Sequence, residues 1–290
     1  MIGIVNVYKP RGVSSFDVVK QTKRAFGTKK VGHLGTLDPM AEGVLPVAIG
    51  KATRLFDYFL NKDKRYVATF YVGEETDTLD AEGEIIKQGG RMVSVDEVQI
   101  ILPEFIGEIR QVPPKFSAKK INGVRAYKLA KSQIEFEPKP CNVQIYALTA
   151  RKGSLDRFIE LEIWCKSGTY VRSLGKDIFE KLGTFATMTK LVRTSSGPFK
   201  IENSISLERL SLGRQEDILS VEKIFESMPK LNLTDANFKK LQNGLKVGGD
   251  KNLQDTYMVC YQNVCYGLAK NDEDGNIKVT TYLYEGEENG

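Results

Sequence analysis

A chain of 290 residues with 41% apolar and 27% charged side chains can bury one large or two modest cores, and its balance excludes a disordered tail. Forty-two basic against 37 acidic residues leave +5, but residues 1–70 alone hold 12 basic and 5 acidic side chains, so the positive excess lies near the N-terminus. No run of about 18 apolar residues could cross a bilayer as a helix, and MIGIVNVYKPR lacks a secretion signal's apolar core. A cytosolic protein without membrane attachment is expected.

In chain order, residues 3–8 read as a short strand. A helix is expected from Ser14 or Ser15 to Gly27, with Asp17 three residues after Ser14, an apolar face of Phe16, Val19 and Phe26, and a terminal glycine. The next stretch, KKVGHLGTLDPMAEG, has too many glycines and prolines for a helix interior. Residues 64–73 alternate as a strand with Tyr66, Ala68, Phe70 and Val72 on one side. A helix should open at Ser94, capped reciprocally with Glu97. Strands are expected at 141–151 and 157–166, the second with Ile159, Leu161, Ile163 and Cys165 on one face. A helix over about 170–182 and a strand near 185–193 follow.

Strands and helices alternate without a regular βαβ rhythm, which predicts the α+β class: a mixed, mainly antiparallel sheet with flanking helices. Beyond residue 230 a short helix, TDANFKKLQNG, leads into three strands near 256–262, 264–270 and 277–284, with DEDGN as a hairpin turn. The expected division is a domain over 1–229 and a small β-rich domain over 230–290.

A basic island at 111–134 carries Lys115, Lys119, Lys120, Arg125, Lys128 and Lys131 with Phe116 and Tyr127 among them and no carboxylate. Positive charge interleaved with rings suits a polyanion with stackable bases, although one such run is also how a solvated loop looks.

The cysteines Cys141, Cys165, Cys260 and Cys265 form no CxxC pair and His33 is the single histidine, so neither a zinc site nor a disulfide framework is expected. Gly50-Lys51 imitates the end of a phosphate-binding loop, but Leu45 replaces its first glycine and Ala52 its magnesium ligand. No G-x-G-x-x-G or G-x-S-x-G is present, which leaves carboxylates as the available nucleophiles. In GHLGTLDP, glycines allow close backbone approach and Asp38-Pro39 fixes a carboxylate at a chain turn; the same dipeptide is also a common way to open a helix.

The stretch KVGHLGTLDPMAEGVLPVAIGKATRL resembles the signature segment of the TruB-type tRNA pseudouridine synthases, which isomerise uridine in the T loop of tRNA, at position 55. Three more blocks match in the family's order: NVYKPRGVSSFDVV, KRYVATFYVGEETDTLDAEGE, and SGTYVRSLGKDIFEKLG followed by LVRTSSGPF. The resemblance covers residues 3 to about 210. The last 60 residues are more weakly similar to a PUA domain, a small RNA-binding β barrel.

The resemblance implies that Asp38 is the catalytic aspartate, Arg172 the arginine paired with it, and Tyr66 the tyrosine that stacks on the target base and can act as a base. It makes Tyr170 and Leu191 pocket residues, His33 the histidine that enters the T loop, and Lys9-Pro10 the pair beneath the active site. It implies no cofactor, no metal and a tRNA T stem-loop as partner; a monomer is the default. A lone buried carboxylate is disfavoured in its charged form, so Arg172 is expected to compensate Asp38 through two parallel hydrogen bonds. The alternative is a non-catalytic RNA-binding or tRNA-folding protein, which would not need Asp38, Tyr66 and Arg172 together.

Overall fold

The computed structural model describes residues 1–117, 120, 121, 123–132, 134, 136–253 and 255–284. Lys119 of the basic island and the acidic end at 285–290 lie outside the described residues. In chain order the first strands are β1 (Gly3–Lys9), β2 (Val31–His33), β3 (Glu42–Ile49), β4 (Lys64–Val72), β5 (Glu74–Thr76), β6 (Ile85–Gln88) and β7 (Gly107–Gln111). A short hairpin, β8 (Lys120–Ile121) and β9 (Val124–Arg125), precedes β10 (Cys141–Lys152), β11 (Phe158–Cys165), β12 (Ala186–Ser196) and β13 (Phe199–Lys200). The last four are β14 (Lys230–Asn232), β15 (Tyr257–Tyr261), β16 (Val264–Asn271) and β17 (Ile277–Tyr282). The helices are α1 (Ser15–Ala25), α2 (Phe56–Leu60), α3 (Val95–Ile101), α4 (Ala126–Lys131), α5 (Val171–Lys181), α6 (Leu207–Ser211), α7 (Val221–Ile224) and α8 (Asp235–Gln242).

Nine strands make one sheet in the order β1-β3-β12-β4-β11-β10-β7, with β2 paired to β3 and β13 to β12. Every pairing in it is antiparallel except β3 with β12, so the sheet is mixed and mainly antiparallel, as the sequence predicts. The parallel seam requires close approach: Gly43 has φ 106°, and a Cβ there would collide with the backbone of Arg193. A second glycine, Gly175 in α5, lies against the Phe70 ring of β4 with no room for a side chain. That contact seats α5 on the middle of the sheet, where Ala68, Phe70, Leu161, Leu174, Ile178 and Phe179 belong to the main core.

Local signals set the helices as expected. The Ser14 hydroxyl accepts from Asp17 N to start α1, and Ser94 with Glu97 forms the capping box of α3. The predicted face of α1 is partly wrong. Phe16 is 59% exposed, with the Lys20 ammonium 4.7 Å from its ring centre, and the buried side is Ser15, Val18, Val19 and Thr22. A serine and a threonine can turn inward because each hydroxyl bonds a backbone carbonyl. The glycine-rich stretch contains β2 and leads into β3, which includes Pro46 and is almost wholly buried between neighbours.

The C-terminal strands form their own sheet, β14-β15-β16-β17, with the turn at 272–276 closed by Asp272 Oδ1 accepting from Asp274 N and Asn276 N. One cluster, around Phe238, Tyr257, Val259 and Tyr266, is its own; a second is shared. Met258, Cys260, Cys265, Leu268 and Leu283 pack in one cluster with Ile4, Val44, Ala48, Leu55, Phe59 and Phe225. Arg54 Nη1 donates to Tyr282 O at 3.0 Å, and Lys51 Nζ donates to Tyr284 O.

On α5, burial pushes the Asp177 carboxyl up to about 6. A carboxyl raised in the folded state contributes stability that is complete below its unfolded range and is lost as pH rises through about 6. Asp177→Asn should therefore be near neutral at about pH 3 and stabilising by roughly 2 kcal/mol at about pH 8, read by urea unfolding. A difference between variant and wild type that does not grow across that window contradicts this.

Candidate active site

The turn from β2 into β3 carries Asp38, and it is not the start of a helix. Ala41 N donates to Asp38 O at 3.1 Å, closing a turn that passes directly into β3. The residues on either side of Asp38 are anchored from below. Ser15 Oγ donates to Leu37 O and accepts from Leu37 N, both at 2.9 Å. Pro39 O accepts from Gly12 N at 2.8 Å and from Lys9 Nζ at 3.2 Å. Lys9 is fully buried, also donates to Pro10 O and Val13 O, and burial pushes its ammonium down to about 8.

Four other segments meet the turn around a cleft of about 160 Å³ lined by Asp38, Tyr66, Ser117, Tyr170, Arg172 and Leu191 among others. Tyr66 lies on β4 and Leu191 on the adjacent β12, whose Arg193 is the register partner of Tyr66. Tyr170 and Arg172 occupy the opening of α5. Asp38 is 43% exposed, toward this cleft, and its Oδ2 lies 2.8 Å from Arg172 Nη2.

Arg172 is only 8% exposed and differs from the expected two-pronged partner of Asp38. Its Nη2 is shared between Asp38 Oδ2 and Phe116 O, at 2.8 and 2.9 Å. Its Nη1 donates to Asp80 Oδ2 at 2.9 Å and to Thr78 O at 3.1 Å. The second arm of the fork is thus occupied by a buried carboxylate, and only one hydrogen bond reaches Asp38. Asp80 is itself fixed by Thr78 Oγ1 and Glu82 N on its Oδ1. Leu79 before it has φ 62°, a left-handed conformation that a leucine seldom adopts, of order 1 kcal/mol in cost.

Two further groups were not read from the sequence. Gln111 is fully buried; its amide donates to Tyr170 O and accepts from Tyr170 N, binding the end of β7 to the start of α5. Arg193, 1% exposed, donates to Val44 O, Thr36 O and Gly35 O, holding the backbone just ahead of Asp38. Its guanidinium also faces the Tyr66 hydroxyl. Tyr66 is half-buried and lines the cleft, and burial pushes its phenol up to about 12 against the pull of Arg193. The signal for both was weak: Arg193 lies inside LVRTSSGPF and Gln111 opens the basic island, but their partners are distant in sequence.

His33 is half-buried at the end of β2, opposite Val47 of β3, and is not among the residues lining the cleft. The structure therefore brings together Asp38, Tyr66, Tyr170, Arg172 and Leu191, places Lys9 beneath them, and leaves His33 outside the cleft.

A family model described as TruB family pseudouridylate synthase (N terminal domain) matches residues 23–171. The chain belongs to this family. A relative from Clostridium perfringens (strain SM101 / Type A), named tRNA pseudouridine synthase B, is 41% identical over 98% of this chain and 100% of its own length. Another of that name, from Clostridium tetani, is 43% identical over 95% of this chain and 97% of its own. Among solved structures, a chain of a Cbf5-Nop10-Gar1 complex matches with TM-score 0.71 at 27% identity, covering 97% of this chain and 84% of that one. A chain of the archaeal box H/ACA sRNP Nop10-Cbf5 complex matches at 0.68 and 26%, covering 97% and 85%.

The buried Arg172–Asp80 pair makes a prediction independent of activity. Asp80→Ala strands a buried guanidinium and should lower unfolding free energy by about 3 kcal/mol, whereas Asp80→Asn keeps hydrogen-bonding atoms and should cost less than half as much. Urea unfolding measures both. Equal stability of wild type and Asp80→Ala would show that Asp80 does not hold Arg172.

Proposed function

We propose that this chain converts uridine to pseudouridine in tRNA, at position 55 of the T loop, with Asp38 as the catalytic carboxylate. The observation that carries the reading is the convergence of Asp38, Tyr66, Tyr170, Arg172 and Leu191, from separate segments of the chain, on one cleft. Relatives named tRNA pseudouridine synthase B over nearly the full chain support the substrate class. A protein that only bound RNA would have no use for a carboxylate aimed into a cleft by a buried guanidinium.

The reaction breaks the bond from ribose C1' to uracil N1, turns the base and forms a bond from C1' to C5. The proton leaving C5 and the one gained at N1 balance, so composition is unchanged. A uridine stacked in RNA cannot reach Asp38 and must be everted, at a cost of a few kcal/mol. Stacking on Tyr66 offsets roughly 1–3 kcal/mol of this, and His33 entering the vacated space in the loop would supply more. Asp38, supported on both flanks, then meets C1' or C6 of the base without further reorganisation, which is where preorganised groups contribute most. With its phenol near 12, Tyr66 holds its proton at neutral pH and meets the nucleoside as a neutral ring.

Lys9 supports the Pro39 carbonyl, while Tyr170 and Leu191 wall the pocket. Residues 230–290 are taken as a PUA-like RNA-binding domain on a catalytic domain of 1–229. The protein acts as a monomer, and its N-terminal positive charge contacts the RNA backbone, so affinity should fall as salt rises.

Asp38→Asn preserves size and removes charge. Pseudouridine formation in a T-stem-loop RNA should fall below detection while RNA affinity changes less than about threefold; appreciable turnover by this variant would remove Asp38 from the chemistry.

A further inference from the structure

One polar group in the cleft has no assigned task. Ser117 is 5% exposed and lines the cleft, and among the described residues its Oγ has no hydrogen-bond partner of ordinary geometry. The Tyr170 phenol faces it without completing a bond of ordinary geometry. Buried hydroxyls are nearly always satisfied, and one left open beside a ligand cavity points to a group on the ligand. Its position is also set by the catalytic assembly: the carbonyl of the preceding residue, Phe116, accepts from the same Arg172 Nη2 that contacts Asp38. Ser173 Oγ on Val112 O, at 2.7 Å, holds the other end of that segment against α5. The backbone leading into Ser117 is therefore tied to α5 before any nucleoside arrives.

We propose that the Ser117 hydroxyl hydrogen-bonds a uracil carbonyl of the everted nucleoside and aligns the base both before and after it turns between its two attachments. This rests on the uridine isomerisation above and adds a substrate-contacting residue to it. The chemistry of the base explains why a fixed hydroxyl suits the task. A half turn about the line through N3 and C6 exchanges N1 with C5 and, at the same time, O2 with O4. The edge facing the wall presents a carbonyl at the same place before and after, so one stationary donor serves both orientations. During the turn the bond to one carbonyl is released, and the same hydroxyl donates to the other when it arrives.

The test uses the full chain and T-stem-loop RNAs carrying uridine, 2-thiouridine or 4-thiouridine at the target, since sulfur accepts hydrogen bonds weakly. Ser117→Ala should slow single-turnover isomerisation of uridine about tenfold with RNA affinity within about threefold. At least one thio substrate should penalise wild type more than Ser117→Ala, and Ser117→Thr, which keeps the hydroxyl, should recover most of the rate. The role is overturned if Ser117→Ala stays within about twofold of wild type. Equal thio penalties in both proteins, or a loss of RNA affinity or melting temperature that matches the loss of rate, would also overturn it. A wild type unable to isomerise the uridine RNA would instead overturn the activity, and this role with it.

Discussion

A single buried guanidinium organises the cleft. Arg172 bonds the Asp38 and Asp80 carboxylates and the Thr78 and Phe116 carbonyls, so three distant segments meet at the first turn of α5. Burying an arginine is costly unless its charge is compensated and its donors are filled. Here Asp80, almost fully buried, supplies charge within the interior, and Asp38, open to the cleft, supplies it at the surface. The arrangement leaves the second oxygen of Asp38 available to a substrate while the first is directed by the arginine.

The fold makes this geometry possible by rigid contacts away from the cleft. Gly175 lets α5 lie directly on Phe70, and Gly43 lets β3 close against β12 beside Arg193. The backbone from Gly35 to Pro39 is then tied by Arg193, Ser15, Gly12 and Lys9. A carboxylate carried on a loop is ordinarily mobile; this one is bounded on both sides by hydrogen bonds to buried groups. Preorganisation of this kind is what allows charge to act on a reacting centre without first paying for reorientation. The C-terminal sheet shares its core with the β1–β3 side of the large sheet, so removing residues 230–290 would expose Leu55, Phe59 and Phe225 as well as deleting any RNA contact they make.

The sequence was most readable where structure is local. Ser14 and Ser94 announced their helices because a cap needs only the next three residues. The alternation in β4 and β11 announced their buried faces. Phe16 misled because helical spacing identifies a stripe without saying which residues at its edge turn outward, and Ser15 and Thr22 had backbone partners that the pattern could not show. β3 was hidden by Gly43 and Pro46, tolerated there because the neighbouring strands use the hydrogen bonds that remain. In the site, the family resemblance named residues that the structure gathers in the cleft, yet not how they are wired. Asp80 lies 92 positions from Arg172 and Gln111 lies 59 from Tyr170. Pairings at such range follow from sheet order, which single-sequence patterns do not encode.

If Arg172 serves the carboxylate of residue 38 and not the RNA backbone, a conservative change at that position separates the two roles. Arg172→Lys keeps the charge but cannot bridge two carboxylates and two carbonyls from one rigid plane. Single-turnover isomerisation should fall by about a hundredfold or more, with T-stem-loop affinity changed less than about threefold. Equal losses of rate and affinity would make Arg172 a phosphate contact instead.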